Sequence, residues 1–278
     1  MLFYRIKQLS KEKSLWISFF ILMILSTVQV IDTLNVEQLK QPGSYPTSLS
    51  YAWILSNDGN SFFPFFFLFL IIPLSSMPFS YHLSKEVKNG FANYVIVRST
   101  LVSYLKNMLI LNSIVSFFLV GVPLIWNLLL SSFFFPVLKP YELVDYMRKF
   151  PITEYETMNK YIYLNHPILT IFMYITITIF LAICFNNFIL LVGYFLPNSY
   201  ILFSLTIFLP LLGITLPTTY TLSHLVFLMV VSNSISLFSF IYPILFLLLA
   251  SGVSFWLIAK RGGIKIIWIW SIFLKEGN

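Results

Sequence analysis

The sequence predicts an all-α integral membrane protein with six transmembrane helices, and three observations lead to this fold class. The chain has 278 residues, of which 58% are hydrophobic and only 10% are charged, whereas soluble domains carry about 25% charged residues. Its apolar runs reach the roughly 20 residues that a helix needs to cross a bilayer. The segments between these runs differ in their Lys and Arg content, as cytoplasmic and external loops do.

Six apolar runs of this kind follow one another from the N-terminus. The first comes after a basic region but has no small-x-small cleavage site behind it, so we predict an uncleaved span rather than a signal peptide. The fourth and fifth runs are separated only by Asn186 and Asn187, which predicts a tight turn at these two residues. The predicted spans are 14–34, 61–81, 108–130, 167–186, 189–213 and 238–259.

The distribution of basic residues predicts how these spans are oriented. Twelve of the seventeen Lys and Arg, but only three of the ten Asp and Glu, lie in segments 1–13, 82–107 and 260–278. Short loops rich in Lys and Arg stay on the cytoplasmic side, so both termini and segment 82–107 are predicted to be cytoplasmic. We attribute the net charge of +7 to this topology and to contact with anionic lipid, not to nucleic-acid binding.

The remaining segments, 35–60 and 131–166, are then predicted to be external. The second is long, mixed in charge and rich in tyrosine, and we expect a structured cap there, with an outer gate, a substrate contact and simple padding as alternatives. Segment 214–237 is apolar but broken by Pro, Thr, Ser, His and Asn residues. It is predicted to form a short re-entrant hairpin before span six, because its longest unbroken run is too short to cross.

Two helical elements are predicted on the cytoplasmic side. Residues 2–13 place apolar side chains at spacings of three and four, with most basic residues elsewhere, a pattern typical of a helix lying in the membrane interface. Residues 91–105 carry a similar apolar stripe. Gly90 is expected to end the helix that leaves span two, and Ser99 or Thr100 is expected to cap the helix that enters span three.

Sequence motifs of enzymes are missing from this chain. No glycine is followed by lysine, so there is no P-loop, and neither a His-Glu-x-x-His nor a Gly-x-Ser-x-Gly motif occurs. The three histidines fall in different segments, which disfavours a shared metal site, and Cys184, the single cysteine, is expected to be a buried apolar residue. The span interiors lack charged residues, which disfavours an ion channel, a proton-coupled transporter and an intramembrane enzyme. We therefore predict a protein that is not an enzyme and has no cofactor or metal of its own.

The cytoplasmic segment after span two carries a recognisable motif. It begins Lys85-Glu86-Val87-Lys88-Asn89-Gly90 and continues through Tyr94 and Arg98-Ser99 to Tyr104 and Lys106. Together with the six spans, the interfacial helix and the broken segment before span six, this motif resembles the permease subunits of bacterial type-2 ATP-binding-cassette exporters. The layout covers the whole chain, whereas the motif covers only segment 82–107.

This resemblance implies a multi-pass protein of the bacterial plasma membrane that works with a separate cytoplasmic ATPase, which binds ATP and Mg. Segment 84–98 would be the coupling helix seated in a groove of the ATPase, helix 2–13 would be a connecting helix, and two permease chains, identical or different, would pair. The alternative for segment 84–98 is a solvated loop whose charges only set topology. The residues expected to contact the ATPase are Lys85, Glu86, Lys88, Gly90, Phe91, Tyr94, Val95 and Arg98, with Glu86 and Arg98 as orienting charges and Phe91 and Val95 as apolar anchors.

The expected cargo is amphipathic or hydrophobic, because the spans offer no charged groups to a charged solute. A membrane-active peptide is the first choice, and a lipid or a hydrophobic drug the second. A non-transporting membrane scaffold or sensor subunit is the alternative function. Spans two and five contain prolines, which bend helices, and we expect a substrate path between these two spans of paired subunits, with static packing as the alternative role of the prolines. The polar residues expected to line this path are Ser75, Ser76 and Asn198.

Overall fold

The computed structural model describes residues 2–39, 47–54, 63–137, 165–196, 198–215 and 237–261. Within these ranges every regular element is a helix, and three helices are long and apolar enough to span a membrane. The prediction of an all-α fold with membrane-spanning helices is confirmed at this level. In chain order the helices are α1 (Leu2–Leu9), α2 (Lys13–Gln38), α3 (Leu49–Ala52), α4 (Phe63–Ser76), α5 (His82–Lys88), α6 (Phe91–Arg98), α7 (Leu101–Phe134), α8 (Pro167–Phe195), α9 (Ser199–Thr215) and α10 (Leu237–Arg261).

The three spanning helices are α2, α7 and α8. Helix α7 has 34 residues, so at 1.5 Å per residue it is about 51 Å long, well beyond the ~30 Å of a bilayer's apolar layer. Its first turns use this extra length to pack against α1 and α6, where Tyr104 and Leu105 are buried. Predicted span two is shorter than expected, because α4 ends at Ser76 and residues 77–81 form turns.

The predicted turn between spans four and five is wrong. Helix α8 continues through Asn186 and Asn187 to Phe195. Asparagine favours turns because its side chain competes for nearby backbone groups, but here both amides are used elsewhere. The Asn186 amide donates to Ser75 Oγ (2.9 Å) on α4, and the Asn187 amide donates to Ser113 Oγ (2.9 Å) on α7. The helix ends instead just before Pro197.

Helix α8 lies at the centre of the bundle and contacts α4, α5, α7, α9 and α10. Its contact with α7 is close: a Cβ built on Gly121 would lie 3.2 Å from Ile179 Cδ1, so the glycine lets these helices approach. The main apolar core around α8 includes Phe67 and Tyr174. Cys184 belongs to this core and is buried, as predicted.

Several local sequence signals are confirmed. Gly90 has a φ of +71°, in the left-handed region that glycine tolerates, and it separates α5 from α6. The Thr100 side chain accepts a hydrogen bond from the Ser103 backbone N–H (3.3 Å) and caps α7. The N-terminal element is helical, and it ends at Leu9. The predicted coupling helix over 84–98 is two short helices, because Gly90 interrupts it.

Three predicted segments lie mainly outside the long helices, and the structure describes only part of them. The predicted cap over 131–166 and the predicted hairpin over 214–237 lie largely outside the described residues. Part of the predicted external segment 35–60 is described. Trp53 and Ile54 are buried within the helix bundle, held by side chains of α2 and α7 that the sequence does not place beside them.

Candidate functional site: the basic end of the bundle

One end of the bundle gathers the basic residues, and we call it the basic end. It consists of α1, α5, α6, the first turns of α2 and α7 and the last turns of α10, which share an apolar core that includes Leu9, Val95 and Ile258. At the opposite end α2 carries Asp32 and Glu37, and the described residues there include no Lys or Arg. The Lys and Arg that the structure describes are Arg5, Lys7, Lys11, Lys13, Lys85, Lys88, Arg98, Lys106, Lys260 and Arg261, all on elements of the basic end.

A buried ion pair joins three elements of the basic end. The Arg5 guanidinium contacts both carboxylate oxygens of Glu86, with Nη1–Oε1 at 3.0 Å and Nη2–Oε2 at 3.1 Å, the bidentate geometry that arginine favours. The Tyr104 hydroxyl also donates to Glu86, and the guanidinium lies 5.5 Å from the centre of the Tyr104 ring. Arg5 is only 8% exposed. The Arg5–Glu86 pair therefore fixes α1 against α5 and α7.

The structure pairs Glu86 with Arg5, and its contact with an ATPase stays a prediction. We expected an exposed charge that orients a partner, but the carboxylate points inward to neutralise Arg5. A signal for this was available in the sequence: Arg5 lies four residues before the buried Leu9, so it shares the apolar face of α1. A guanidinium on such a face needs a carboxylate partner, but the sequence alone does not say that Glu86 supplies it.

Helix α6 turns one face outward and one inward. Phe91, Tyr94 and Val97 are 49%, 75% and 87% exposed, and their spacing of three places them on one face, which we call the α6 face. Ala92 and Val95 are buried in the core of the basic end. Phe91 and Tyr94 are thus exposed and Val95 is buried, and contact of these residues with an ATPase stays a prediction.

The other residues predicted to contact an ATPase lie close to the α6 face in the chain. Lys85 and Lys88 are exposed on α5. Gly90 forms the junction between the two short helices, and Arg98 is the last residue of α6. The structure therefore brings the predicted set to one end of the molecule, with Glu86 and Val95 turned inward.

Helix α5 is also attached to the end of α8. The Ser84 hydroxyl donates to the Leu196 carbonyl (3.2 Å) just after α8 ends. A Cβ on Gly193 would lie 3.4 Å from Ser84 Cβ and 3.1 Å from Leu202 Cδ1, so glycine is what allows α5, α8 and α9 to meet here. Displacement of α5 would consequently act on the α8–α9 junction.

His82 is a partly enclosed titratable group at the start of α5. Its ring stacks on Phe79 with centroids 5.1 Å apart, and its Nε2 lies 3.9 Å from a carboxylate oxygen of Glu12. Burial lowers the pKa of His82 below the usual 6.5, and the nearby Glu12 carboxylate opposes part of that shift. The imidazole is therefore held in its neutral form to a lower pH than in an unfolded chain.

The residues predicted to line a substrate path have different surroundings. Ser75 and Ser76 are fully buried; Ser75 accepts from Asn186, and Ser76 shares a hydrogen bond of 3.0 Å with the Tyr81 hydroxyl. Asn198 is exposed, and its Oδ1 accepts from the Tyr200 N–H (3.0 Å) at the start of α9. Ser75 and Ser76 thus face the interior of one chain, and the path between paired subunits stays a prediction.

No family model matches this chain, and no curated protein or solved structure matches it either. Within the described ranges, no three His, Cys, Asp or Glu side chains come together as metal ligands would. The functional argument consequently depends on the geometry of the basic end itself.

Proposed function

We propose that this chain is the transmembrane subunit of an ATP-driven exporter in the bacterial plasma membrane, and that its basic end binds a separate cytoplasmic ATPase. The observation that carries this proposal is the α6 face. It exposes two aromatic side chains and a valine at the end of the bundle where the described Lys and Arg gather. Charged loops of this sign stay in the cytoplasm, so the α6 face would meet a cytoplasmic partner.

The chemistry of the α6 face suits a protein partner. Binding energy at interfaces is concentrated in a few aromatic or arginine side chains, and Phe91 and Tyr94 offer two such anchors on one helical turn. Exposed Lys85 and Lys88 would guide an acidic surface into register, because charges around an apolar centre mainly set orientation and association rate.

The contacts of α5 supply a route from this surface into the membrane helices. Helix α6 packs on α5 and α7. Helix α5 is joined to α1 and α7 by the Arg5–Glu86 pair and to α8 by Ser84. Movement of the α6 face by an ATPase would thus be carried to α7, α8 and the start of α9, the behaviour that an ATP-driven permease requires.

The proposed topology has six spans with both termini in the cytoplasm. Helices α2, α7 and α8 supply three spans, and the shorter apolar helices α4, α9 and α10 supply the others. None of these spans carries a charged residue in its interior, which favours an amphipathic or hydrophobic cargo, in the first place a membrane-active peptide. A second permease chain completes the complex in this proposal.

The test is first whether an ABC-type ATPase is encoded beside this chain, and then binding and ATP turnover with that ATPase. We expect the two proteins to copurify and a cargo peptide to stimulate ATP hydrolysis. Combined Phe91→Ala and Tyr94→Ala substitutions should weaken binding about tenfold or more, since anchors of this kind commonly contribute 2 kcal/mol or more. Phe133→Ala is the control, because Phe133 is at least as exposed as Phe91 and Tyr94 but lies at the end of α7 far from α6. Unchanged binding in the double variant would refute the docking role, and a stable complex without cargo-stimulated turnover would favour the scaffold alternative.

A further inference from the structure

A short stretch of the segment between spans one and two is enclosed by the bundle. Leu49, Ala52, Trp53 and Ile54 are all buried, and Trp53 is only 1% exposed. Beyond the single turn of α3 the backbone at Trp53 and Ile54 is not helical. Non-helical backbone inside a membrane protein needs polar partners from the surrounding protein, and here those partners are side chains.

Two side-chain amides bind the backbone on either side of Trp53. The Gln29 amide of α2 donates to the Ala52 carbonyl (2.9 Å), and the Ile54 N–H donates to Asn127 Oδ1 of α7 (2.9 Å). The two side chains are also joined to each other, since the Asn127 amide donates to Gln29 Oε1 (2.8 Å). We call these two residues the Gln29–Asn127 amide pair.

The amide pair has no spare hydrogen-bonding group. The second N–H of Gln29 donates to Thr33 Oγ1 (3.0 Å), and the second N–H of Asn127 donates to the Ser26 carbonyl (2.8 Å). Each amide thus uses both donors and its oxygen. A buried amide is costly when one of its groups lacks a partner, so the pair requires one peptide carbonyl and one peptide N–H at these positions.

The side chain between the two bound backbone groups enters an apolar site. Trp53 packs in the main core with Leu22, Phe67 and Tyr174, and its ring centroid lies 6.4 Å from that of Tyr174. The surrounding protein therefore recognises a carbonyl, then an aromatic side chain, then an N–H, in consecutive residues. The Ile54 side chain is buried in the same core, and the remaining recognised groups belong to the peptide backbone.

We infer that the Gln29–Asn127 amide pair and the apolar site of Trp53 form a peptide-binding site, filled here by residues 52–54 of the chain itself. A cargo peptide with a large aromatic side chain occupies this site when residues 52–54 leave it. The inference rests on the proposed peptide export and deepens it by specifying what the cargo must present. Side-chain amides that pair with backbone groups accept many sequences, which suits a site for peptide cargo.

The first experiment removes the Trp53 ring, so that residues 52–54 leave the site more readily, and supplies a peptide. In the purified full-length Trp53→Ala protein, the probe acetyl-Tyr-Ala-Trp-Ile-amide should raise the melting temperature by ligand binding, whereas acetyl-Tyr-Ala-Ala-Ile-amide should not. The wild-type protein, whose site is filled, should respond to neither peptide. Adding Asn127→Ala to Trp53→Ala should abolish the response, because the backbone N–H of the probe loses its acceptor. Equal responses to the two peptides, or none in Trp53→Ala, would overturn the inference.

The second experiment works without the Trp53 substitution. In a Cys184→Ser background, Ala52→Cys should react slowly with a membrane-impermeant thiol reagent, because position 52 is enclosed. Asn127→Ala should speed this reaction about tenfold or more by leaving the Ile54 N–H without an acceptor and Gln29 Oε1 without a donor. Asn112→Ala is the matched control: it removes the same buried amide from the same helix, where Asn112 bonds to Ser80 and Asn187 instead. Equal rates in the two variants would contradict the inference.

Neither experiment contains the ATPase. A failed peptide response beside intact ATPase coupling would remove the peptide site and leave the exporter proposal standing. A positive peptide response in a chain that binds no ATPase would remove the exporter proposal and leave the peptide site standing.

Discussion

Glu86 neutralises a guanidinium that the fold has removed from water. Without its carboxylate, Arg5 would remain buried beside Met108, to whose Sδ its Nη1 donates at 2.7 Å. Breaking a buried pair by removing one partner typically costs 3–5 kcal/mol. We therefore expect Glu86→Lys to lower the free energy of unfolding by about that amount, with Glu86→Gln intermediate.

The matched control for this prediction is Lys88→Glu, which reverses an exposed charge two residues along the same helix and should change stability by less than about 0.5 kcal/mol. Chemical unfolding of the detergent-solubilised variants measures both effects. Equal stability of Glu86→Lys and Lys88→Glu would show that the Arg5–Glu86 pair does not stabilise the basic end.

His82 should make stability depend on pH. Because its pKa is lowered in the folded protein, the unfolded chain binds a proton first as the pH falls. Stability is then lost as the pH drops through the pKa of His82 in the unfolded chain, near 6.5, until the imidazole of the folded protein is protonated as well. The charged groups that face it are Glu12, Lys85, Glu86 and Arg5. The melting temperature of His82→Gln should fall less between pH 8 and pH 5 than that of the wild type, and parallel curves would contradict this assignment.

At the scale of elements, the α5–α8 contact depends on the missing side chain of Gly193. Valine there would push against Ser84 and Leu202, and overpacking of this kind costs about 1–3 kcal/mol. Gly252 of α10 is the matched control, since a Cβ there meets nothing within 4 Å and the change in helix propensity is the same. We expect Gly193→Val to unfold more easily than Gly252→Val. If their unfolding midpoints agree, α5 is not positioned by this contact.

Element boundaries were predictable where local chemistry sets them. Gly90 ends a helix because of its left-handed backbone, and Thr100 caps one with its own hydroxyl. The turn predicted at Asn186 failed because its amide finds serine partners on α4 and α7. Those partners are 111 and 70 residues away in the chain, so no local pattern reveals them.

The difference between local chemistry and contacts with distant segments also explains which site residues could be predicted from the sequence. The spacing of Phe91 and Tyr94 correctly placed them on one stripe, but a stripe that also contained Val95 could not show which side faces the core. The burial of Trp53 was missed because the partners of the neighbouring Ala52 carbonyl and Ile54 N–H come from Gln29 and Asn127 on separate helices. Contacts between distant segments, not propensity, decide these positions.

At the scale of the whole molecule, the charge distribution gives the bundle two unlike ends. The described Lys and Arg lie at the same end as the α6 face, whereas Asp32 and Glu37 lie at the other end. The orientation in the membrane and the binding of an ATPase both follow from this asymmetry in our account. The reaction of a cysteine placed at Tyr94, on the α6 face, reports both the orientation in the membrane and the binding of an ATPase.

The most direct measurement is the reaction of Tyr94→Cys, in a Cys184→Ser background, with a membrane-impermeant maleimide. The account predicts reaction in inverted membrane vesicles but not in intact cells, and slower reaction once the ATPase subunit is added. Lys106→Cys, exposed on α7 outside the α6 face, should react from the same side at a rate that the ATPase leaves unchanged. Reaction of Tyr94→Cys in intact cells, or a rate in vesicles that the ATPase does not alter, would contradict the proposed docking of a cytoplasmic ATPase at the basic end.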